Sequence, residues 1–378
     1  MVAEPSGALS GLVKDAFSSQ VSYFGFAIDR EQKIRGLGSF AHVEGYSAAL
    51  NNAGAWPFER RLFAAAYESQ YFNFEQERQE RLDAVDAEIV DVFGGEILEE
   101  YADTTITLPD AQTMAEYDTL EIDIRMECPD PDTVEFSNCG AWDYLAHMWL
   151  YDESTEEWLE MGRFITTYHR ESRWVVDASH ALAWLQEGGE RTVRYQWAHS
   201  WNTQPTGITV SFRLSNQDKG MAPREAIPLF TGGGFSSTYN DREAIEASIP
   251  SDATKIELVA ITTGHGMDTG NCAEFCYHEH HFTVGSNTYT QEFTDPGIDD
   301  GCAQKVYDGV VPNQGGTWWF GRGGWCPGQR VDPFVVDVTE DASLGDSIAV
   351  SYQATQGGRE PSDGMGNIVH RSWLIIHR

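Results

Sequence analysis

Apolar positions along the chain repeat with two different periods, and the change from one to the other falls near residue 86. From Pro57 a pattern runs through Phe58, Leu62, Phe63, Ala66, Tyr67, Gln70, Tyr71 and Phe74. That spacing sets an aromatic stripe on one face of a helix and continues into the charged run Glu75 to Arg81. Such stripes are more often packing surfaces than ligand sites, so the helix is expected to dock onto the domain that follows it. Upstream, Val21 to Ile28 and Gly36 to Val43 read as short strands or loops.

From about Ala87 the period is two. Leu120, Ile122, Ile124 and Met126 alternate with Glu121, Asp123, Arg125 and Glu127, the signature of a half-buried strand. The alternation recurs at Val193, Tyr195 and Trp197, at Ile208, Val210, Phe212 and Leu214, and at Ile256, Leu258 and Ala260. Further strands are predicted at Phe334 to Val338, Ile348 to Tyr352 and Ser372 to Ile376. Many short strands between Gly- and Asp-rich turns favour sandwiches or jelly rolls. The length suits two such domains divided near residue 220, in the Gly/Pro/Lys-containing stretch from Asn216 to Arg224. The expected organisation is an N-terminal extension over 1–86, one β-domain over 87–218 and a second over 219–378.

Composition narrows the partners. The net charge is −34, from 59 acidic and 25 basic side chains. Such a surface repels nucleic acid and anionic lipid, which makes both poor candidates as partners. No apolar run approaches the length of a bilayer span, so no membrane insertion is expected. Met1 to Ser10 has neither the basic nor the apolar region of an export signal; if the protein is exported, that signal has been removed. Cysteines stand at 128, 139, 272, 276, 302 and 326. A zinc site is disfavoured because Cys272 and Cys276 have no second close pair. Three disulfides, and hence an oxidising compartment, fit better, although spacing alone leaves the connectivity open.

Candidate chemistry concentrates in loops richer in Gly, Trp and Cys than a β-scaffold needs. They are Cys139-Gly-Ala-Trp-Asp143, Gly264-His-Gly266 leading to Asn271-Cys-Ala-Glu274-Phe-Cys276, and Trp318-Trp-Phe-Gly-Arg322-Gly-Gly-Trp325-Cys-Pro-Gly328. Trp142, Trp201, Trp318, Trp319 and Trp325 can stack on sugar rings, though any single Trp more often fills a core. Asp143 and Glu274 each lie beside a cysteine, and a carboxylate fixed in a rigid loop suits general acid/base work. The plainer role is a turn cap or an ion pair with Arg322. His278, His280 and His281, with His265 and His199 elsewhere, offer a start for a metal site, but clustered histidines are usually unliganded.

Taken together, these blocks resemble the peptide-N-glycosidase F family from about Val92 to the C-terminus. The match rests on Glu127-Cys-Pro129, Cys139-Gly-Ala-Trp-Asp-Tyr144, Glu157-Trp-Leu-Glu-Met-Gly-Arg-Phe-Ile-Thr166, Cys272-Ala-Glu-Phe-Cys276 and Arg322-Gly-Gly-Trp-Cys-Pro-Gly328. The resemblance implies an all-β core of two adjacent eight-stranded antiparallel jelly rolls, here with an N-terminal extension containing a helix. It implies disulfides Cys128–Cys139, Cys272–Cys276 and Cys302–Cys326. It also implies hydrolysis of the amide between an N-glycan and asparagine, without a cofactor or metal. Secreted or periplasmic location, N-glycoproteins or glycopeptides as substrate and a monomeric state follow from the same likeness.

Carried over by motif, Asp143 is the principal catalytic carboxylate and Glu274 completes the site from the second domain. His199, the third expected catalytic residue, stands where the family has an acidic one and can hold a water or relay a proton. Trp142, Tyr144, Trp201, Arg322 and Trp318 are the expected substrate-binding residues, Tyr144 replacing a family arginine and His169 a family tryptophan. His199 leaves open a glycan-binding protein without turnover, and the architecture with its histidine-rich segments leaves open a metal-dependent enzyme with His265, His278 and His280 as ligands. The first is separated by glycan affinity without release, the second by elemental analysis.

Overall fold

The computed structural model describes the backbone of residues 24–28, 34–39 and 57–65 and the whole of 66–130, 139–266 and 270–378. A hairpin of β1 (Phe24–Ile28) and β2 (Ile34–Ser39) precedes the long helix α1 (Pro57–Asp83). β1 falls within the first stretch read as strand or loop and β2 overlaps the second, starting two residues before it; residues 21–23 and 40–43 of those stretches, residues 1–10, and the side chains of Phe58, Leu62 and Phe63 lie outside the described residues.

Two sandwiches follow. The first comprises β3 (Glu88–Leu98), β4 (Tyr101–Asp110), β5 (Thr119–Glu127), β6 (Leu145–Asp152), β7 (Glu157–Ile165), β8 (Ser172–Asp177), β9 (Gly188–Gln196) and β10 (Thr206–Ser215). The second comprises β11 (Pro223–Gly234), β12 (Ile245–Ser248), β13 (Lys255–His265), β14 (His278–Val284) and β15 (Asn287–Phe293), and then, beyond the short β16 (Arg330–Val331), β17 (Phe334–Asp337), β18 (Ser347–Thr355) and β19 (Asn367–His377). Sheet orders are β3-β10-β5-β8 and β7-β6-β9-β4 in the first, and β11-β19-β13-β17 and β12-β18-β14-β15 in the second. Each sandwich thus has eight strands, paired antiparallel, as two jelly rolls require. β16 crosses back and extends the first sandwich by pairing with β7.

Alternation does its expected work in β5 and β10. Ile122 faces Phe212 and Ile124 faces Val210 across the ladder, and all four are buried in the first core. β13 differs because both its faces are covered. Ile256, Leu258 and Ala260 enter the second core, whereas Val259 and Ile261 meet Ile165 and Val331 of the first sandwich together with Trp373 and Ile375. This second apolar cluster is the seam between the sandwiches, and it explains the unbroken run Leu258-Val-Ala-Ile261.

The seam also carries a buried ion pair. Arg163 of β7, 0% exposed, bonds both oxygens of Glu160 at 2.8 Å. It also donates to Thr263 Oγ1 of β13 at 2.9 Å and to the Val369 carbonyl of β19 at 2.7 Å. His147 Nδ1 donates a further bond to Glu160 Oε1 at 2.8 Å. Pairing with Arg163 and His147 holds the Glu160 carboxyl far below the ordinary range despite its burial.

Helix α1 docks on the domain that follows it and also beyond it. Its aromatic residues Tyr67, Tyr71 and Phe74 pack not on the domain next in sequence but on Val306, Val310, Trp318 and Trp319 beside the Cys302–Cys326 bridge. The helix also reaches the first sandwich: Glu68 pairs with Arg170 at 2.7 Å, Arg78 donates to the Arg173 carbonyl at 2.7 Å and Arg81 pairs with Glu121. The helix therefore spans both sandwiches. The periodicity identified its buried face, but a partner more than 200 positions away leaves no local trace.

Candidate active site

Asp143 ends an irregular turn immediately before β6, and Glu274 sits in the helical turn Cys272–Phe275 between β13 and β14. Both turns are tied by disulfides, since the cysteines pair as 128–139, 272–276 and 302–326. Arg322, from the loop closed by Cys326, lies between the carboxylates. Its Nε donates to Glu274 Oε1 at 3.1 Å and its Nη2 lies 3.5 Å from Asp143 Oδ2. The remaining donors go to the Thr317 carbonyl at 3.2 Å, the Phe320 carbonyl at 3.0 Å and Thr317 Oγ1 at 3.1 Å. A guanidinium has five N–H groups; four are hydrogen-bonded to Glu274, Thr317 and Phe320, and Nη2 also faces Asp143 as an ion pair. Trp325 and Phe275 cover its plane, with centroids at 4.8 and 5.6 Å. Arg322 is 2% exposed and holds the two carboxylates from one position between them.

One cation facing two anions leaves the trio net negative. Burial raises the Asp143 pKa above the ordinary aspartate value, against the lowering effects of Arg322 and of a hydrogen bond from the Tyr168 hydroxyl. Burial likewise raises Glu274, opposed by the Gly266 N–H and Arg322 and reinforced by Asp143. That N–H donates to Glu274 Oε2 at 2.7 Å. Gly266 is needed for the approach, because a Cβ there would lie 2.9 Å from Glu274 Oε2 and 2.7 Å from Asn271 Oδ1. Tyr168 was not singled out from the sequence. It stands two residues beyond the Arg163-Phe-Ile-Thr166 run, bonded to Asp143 and Thr317, and its own pKa is driven up by burial and by Asp143.

An aromatic group flanks the carboxylates. Thr166 Oγ1 ties the turn by accepting from the Tyr144 N–H at 2.7 Å and donating to the Trp142 carbonyl at 2.6 Å. The Tyr144 ring meets His199 edge-on at 4.9 Å and Trp201 at 5.9 Å, while His199 and Trp201 stack at 5.2 Å. Asn202 donates to the Tyr144 hydroxyl. Trp142 is 50% and Trp201 74% exposed, large apolar surfaces on loops beside buried charge. His199 has its ring contacts in this group, and its link to the carboxylates runs through Tyr144, the neighbour of Asp143. Burial, then His147, lowers its pKa, so it is neutral at neutral pH.

Trp318 does not join them. It is 0% exposed and meets Tyr67 of α1 edge-on at 6.0 Å, so no ring face remains for a sugar. The expected stacking role is corrected to a packing one, its cause being the helix laid over that loop.

The histidines considered as ligands lie inside the second sandwich or its edge. His278 shares bonds with the Ala273 carbonyl at 2.8 Å and His280 at 3.0 Å, and His280 continues to the Tyr352 hydroxyl at 2.7 Å. Burial lowers His278 to about 4. His265 stacks on Trp325 and bonds Thr263 Oγ1 at 2.9 Å, and burial, Arg163, His147 and Arg322 bring it down to about 3. These ring nitrogens are engaged with protein groups. Among the described residues, Cys128, Cys139 and Glu171 form a close grouping of ligand types, but the two sulfurs are bonded to each other.

Comparison with known proteins places this architecture. A sequence family described as "Peptide-N-glycosidase F, C terminal" matches residues 235–375. Peptide-N(4)-(N-acetyl-beta-D-glucosaminyl)asparagine amidase F of Elizabethkingia miricola is 24% identical over 285 residues, 68% of this chain and 73% of that protein. The crystal structure of a peptide-N(4)-(N-acetyl-beta-D-glucosaminyl) asparagine amidase aligns with TM-score 0.60 at 20% identity, over 77% of this chain and 96% of the other. PNGase F, a glycosylasparaginase from Flavobacterium meningosepticum, aligns with TM-score 0.58 at 17% identity over the same shares.

Proposed function

We propose that this chain, which belongs to the peptide-N-glycosidase F family, hydrolyses the amide joining an N-glycan to an asparagine side chain. The glycan leaves as a glycosylamine and the asparagine becomes aspartate. The observation that carries this reading is the bridge of Asp143 and Glu274, from different sandwiches, by the single buried Arg322. Two carboxylates with raised pKa values, fixed by one cation beside exposed tryptophans, suit water activation next to a carbohydrate.

In this reading Asp143 accepts a proton from water as its oxygen adds to the amide carbonyl carbon. The C–N bond then breaks as the proton passes to the departing nitrogen. A carboxyl whose pKa is raised by burial holds that proton long enough to return it. Glu274 orients the water, Arg322 holds Asp143 and Glu274 in place, and Tyr168 fixes the second direction of the Asp143 carboxylate. Trp142 and Trp201 present faces to sugar rings. Tyr144 and His199 set the orientation of Trp201.

The same reading takes N-glycoproteins or glycopeptides as substrate and a monomer as the working unit, in a secreted or periplasmic setting where the three disulfides persist. Residues 87–218 and 219–378 are the two halves of the catalytic body and 1–86 an accessory segment. Among the described residues no helix is long and apolar enough to cross a membrane.

The test is incubation of the protein with an N-glycopeptide in heavy-oxygen water, with chelator in one arm. Release of the glycan with one heavy oxygen in a new aspartate, unchanged by chelator, is expected. Binding without release would favour the lectin-like alternative, and activity lost to chelator and restored by one ion the metal-dependent one.

A further inference from the structure

Behind the carboxylates lies a second buried charge pair, made between helix α1 and the loop that carries Tyr168. Glu68 of α1 is 3% and Arg170 5% exposed, with Nη1 and Oε1 2.7 Å apart. The same Glu68 oxygen accepts from Asn313 Nδ2 at 2.6 Å, and the same Arg170 nitrogen donates to the Pro312 carbonyl. Two loops from different sandwiches therefore meet on one carboxylate of the helix. Both hold a non-glycine residue in the left-handed region, His169 at φ 59° and Asn313 at φ 54°. That region is disfavoured for a side chain such as His169 and is held where the surroundings over-determine it.

The loops are also stitched to each other and to the active site. Tyr168 N–H donates to Gln314 Oε1 at 2.9 Å, and Gly315 N–H returns a bond to the Tyr168 carbonyl at 3.2 Å. Gly316, at φ 59°, lies against the Tyr168 ring where a Cβ would come within 2.7 Å. At the far ends of these loops the Tyr168 hydroxyl meets Asp143, and Thr317 takes two bonds from Arg322.

We propose that Glu68 is a positioning residue of the active site, its buried carboxylate fixing the 167–170 loop against the 312–317 loop and so placing Tyr168 on Asp143 and Thr317 on Arg322. Helix α1 is then part of the catalytic scaffold rather than an appendage. The inference rests on the amidase reading only for its kinetic arm.

Glu68→Gln in the full chain keeps the shape and an acceptor for Asn313 while removing the charge that matches Arg170. Amide hydrogen exchange across 166–170 and 312–317 is expected to rise about tenfold or more, while the sandwich cores keep wild-type protection. On glycopeptide, kcat is expected to fall about tenfold or more with KM little changed, since small misplacement of reacting groups is costly. The acid limb of the kcat profile is expected to move to higher pH as Tyr168 loosens from Asp143, whose other facing charges, Arg322 and Glu274, are untouched. Should that variant fail to fold, Glu68→Leu with Arg170→Met removes both charges together, a replacement often tolerated, and is expected to give the same three shifts. Glu68→Asp, which retains the charge, should recover part of the rate. Wild-type exchange in both loops overturns the proposal whether or not the protein is an amidase. Wild-type kcat and pH profile in an active enzyme overturn it as well. A wild-type protein that releases no glycan overturns the amidase reading and leaves the exchange arm to decide this one.

Discussion

Asp143→Asn separates chemistry from architecture more cleanly than any other substitution in this molecule. The change keeps the side-chain shape and lets the Tyr168 hydroxyl go on donating to an oxygen, but removes the charge and the basicity. Breaking a buried ion pair ordinarily costs about 3–5 kcal/mol because one charge is stranded. Here it does not strand one: Arg322 faces two carboxylates, and loss of Asp143 leaves it paired one-to-one with Glu274 at 3.1 Å. The folded pKa of Asp143 is raised, so its ionised form is less stable in the native site than in the unfolded chain. That penalty is fully present above the folded pKa and disappears below the ordinary value of 3.8, where both states bind the proton. The variant should therefore melt at or above the wild-type temperature at neutral pH, with the difference vanishing as pH falls below that value. Turnover should drop by about 10²–10⁴, the scale of a lost general base, or roughly 3–5 kcal/mol of barrier. KM should hold, since Trp142 and Trp201 are untouched. The assay is glycopeptide hydrolysis beside thermal melts from acid to neutral pH. Glycan release at the wild-type rate would show that Asp143 is structural, and a large loss of melting temperature at neutral pH would show that the trio is a stabilising network instead of a strained one.

Three other outcomes test neighbouring parts. Arg163→Met leaves buried Glu160 with His147 as its remaining partner and should cost about 3–5 kcal/mol in chemical denaturation; a loss under 1 kcal/mol would mean that Arg163 does not lock the sandwiches together. Trp142→Ala and Trp201→Ala should each raise KM for glycopeptide by about threefold to tenfold with kcat little changed, as removal of a stacking face does, and unchanged KM would remove them from the binding surface. His199→Ala should leave the rate at neutral pH within about an order of magnitude and alter the profile on the acid side, where the depressed pKa of His199 places its protonation; a profile of unchanged shape would confine it to packing under Trp201.

What the sequence disclosed follows the physics of each element. β5 and β10 are half-buried, so their alternation was plain, and the strands read at residues 256, 334, 348 and 372 are all present. β14 reads His-Glu-His-His-Phe-Thr-Val, and with its inward histidines hydrogen-bonded to one another and to Tyr352 it shows little apolar period even though His278 and His280 are 0% exposed. Asp143, Glu274 and Arg322 were visible because loops that carry chemistry also carry glycine and cysteine. The same composition misled at Trp318: a Gly- and Trp-rich loop looks alike whether it faces solvent or lies beneath a helix. Tyr168 and Glu68 left no signal, since the spacing between Glu68 and Asn313 is 245 residues and nothing near either implies the other.

That distance bears on how the site holds its shape. Asp143, Glu274 and Arg322 come from three loops, and loops are the least stable parts of most folds. Two of the three are closed on themselves by disulfides, and the Asp143 turn is joined to the others by Thr166, Tyr168 and Gln314. Disulfides constrain each loop separately, but none crosses between sandwiches, so they cannot set the distance from Asp143 to Glu274. Groups that do cross set it: Arg322 itself, Arg163 along the seam, and Glu68 with Arg170 from behind. All are buried ions with several partners, whose geometry is narrow and whose disruption is costly. An apolar seam of the same area would stabilise the assembly as well but would tolerate sliding, because dispersion contacts are not directional. A pair of carboxylates meant to share one guanidinium cannot tolerate that, which gives a physical reason for charge where greasy packing would have sufficed for stability alone.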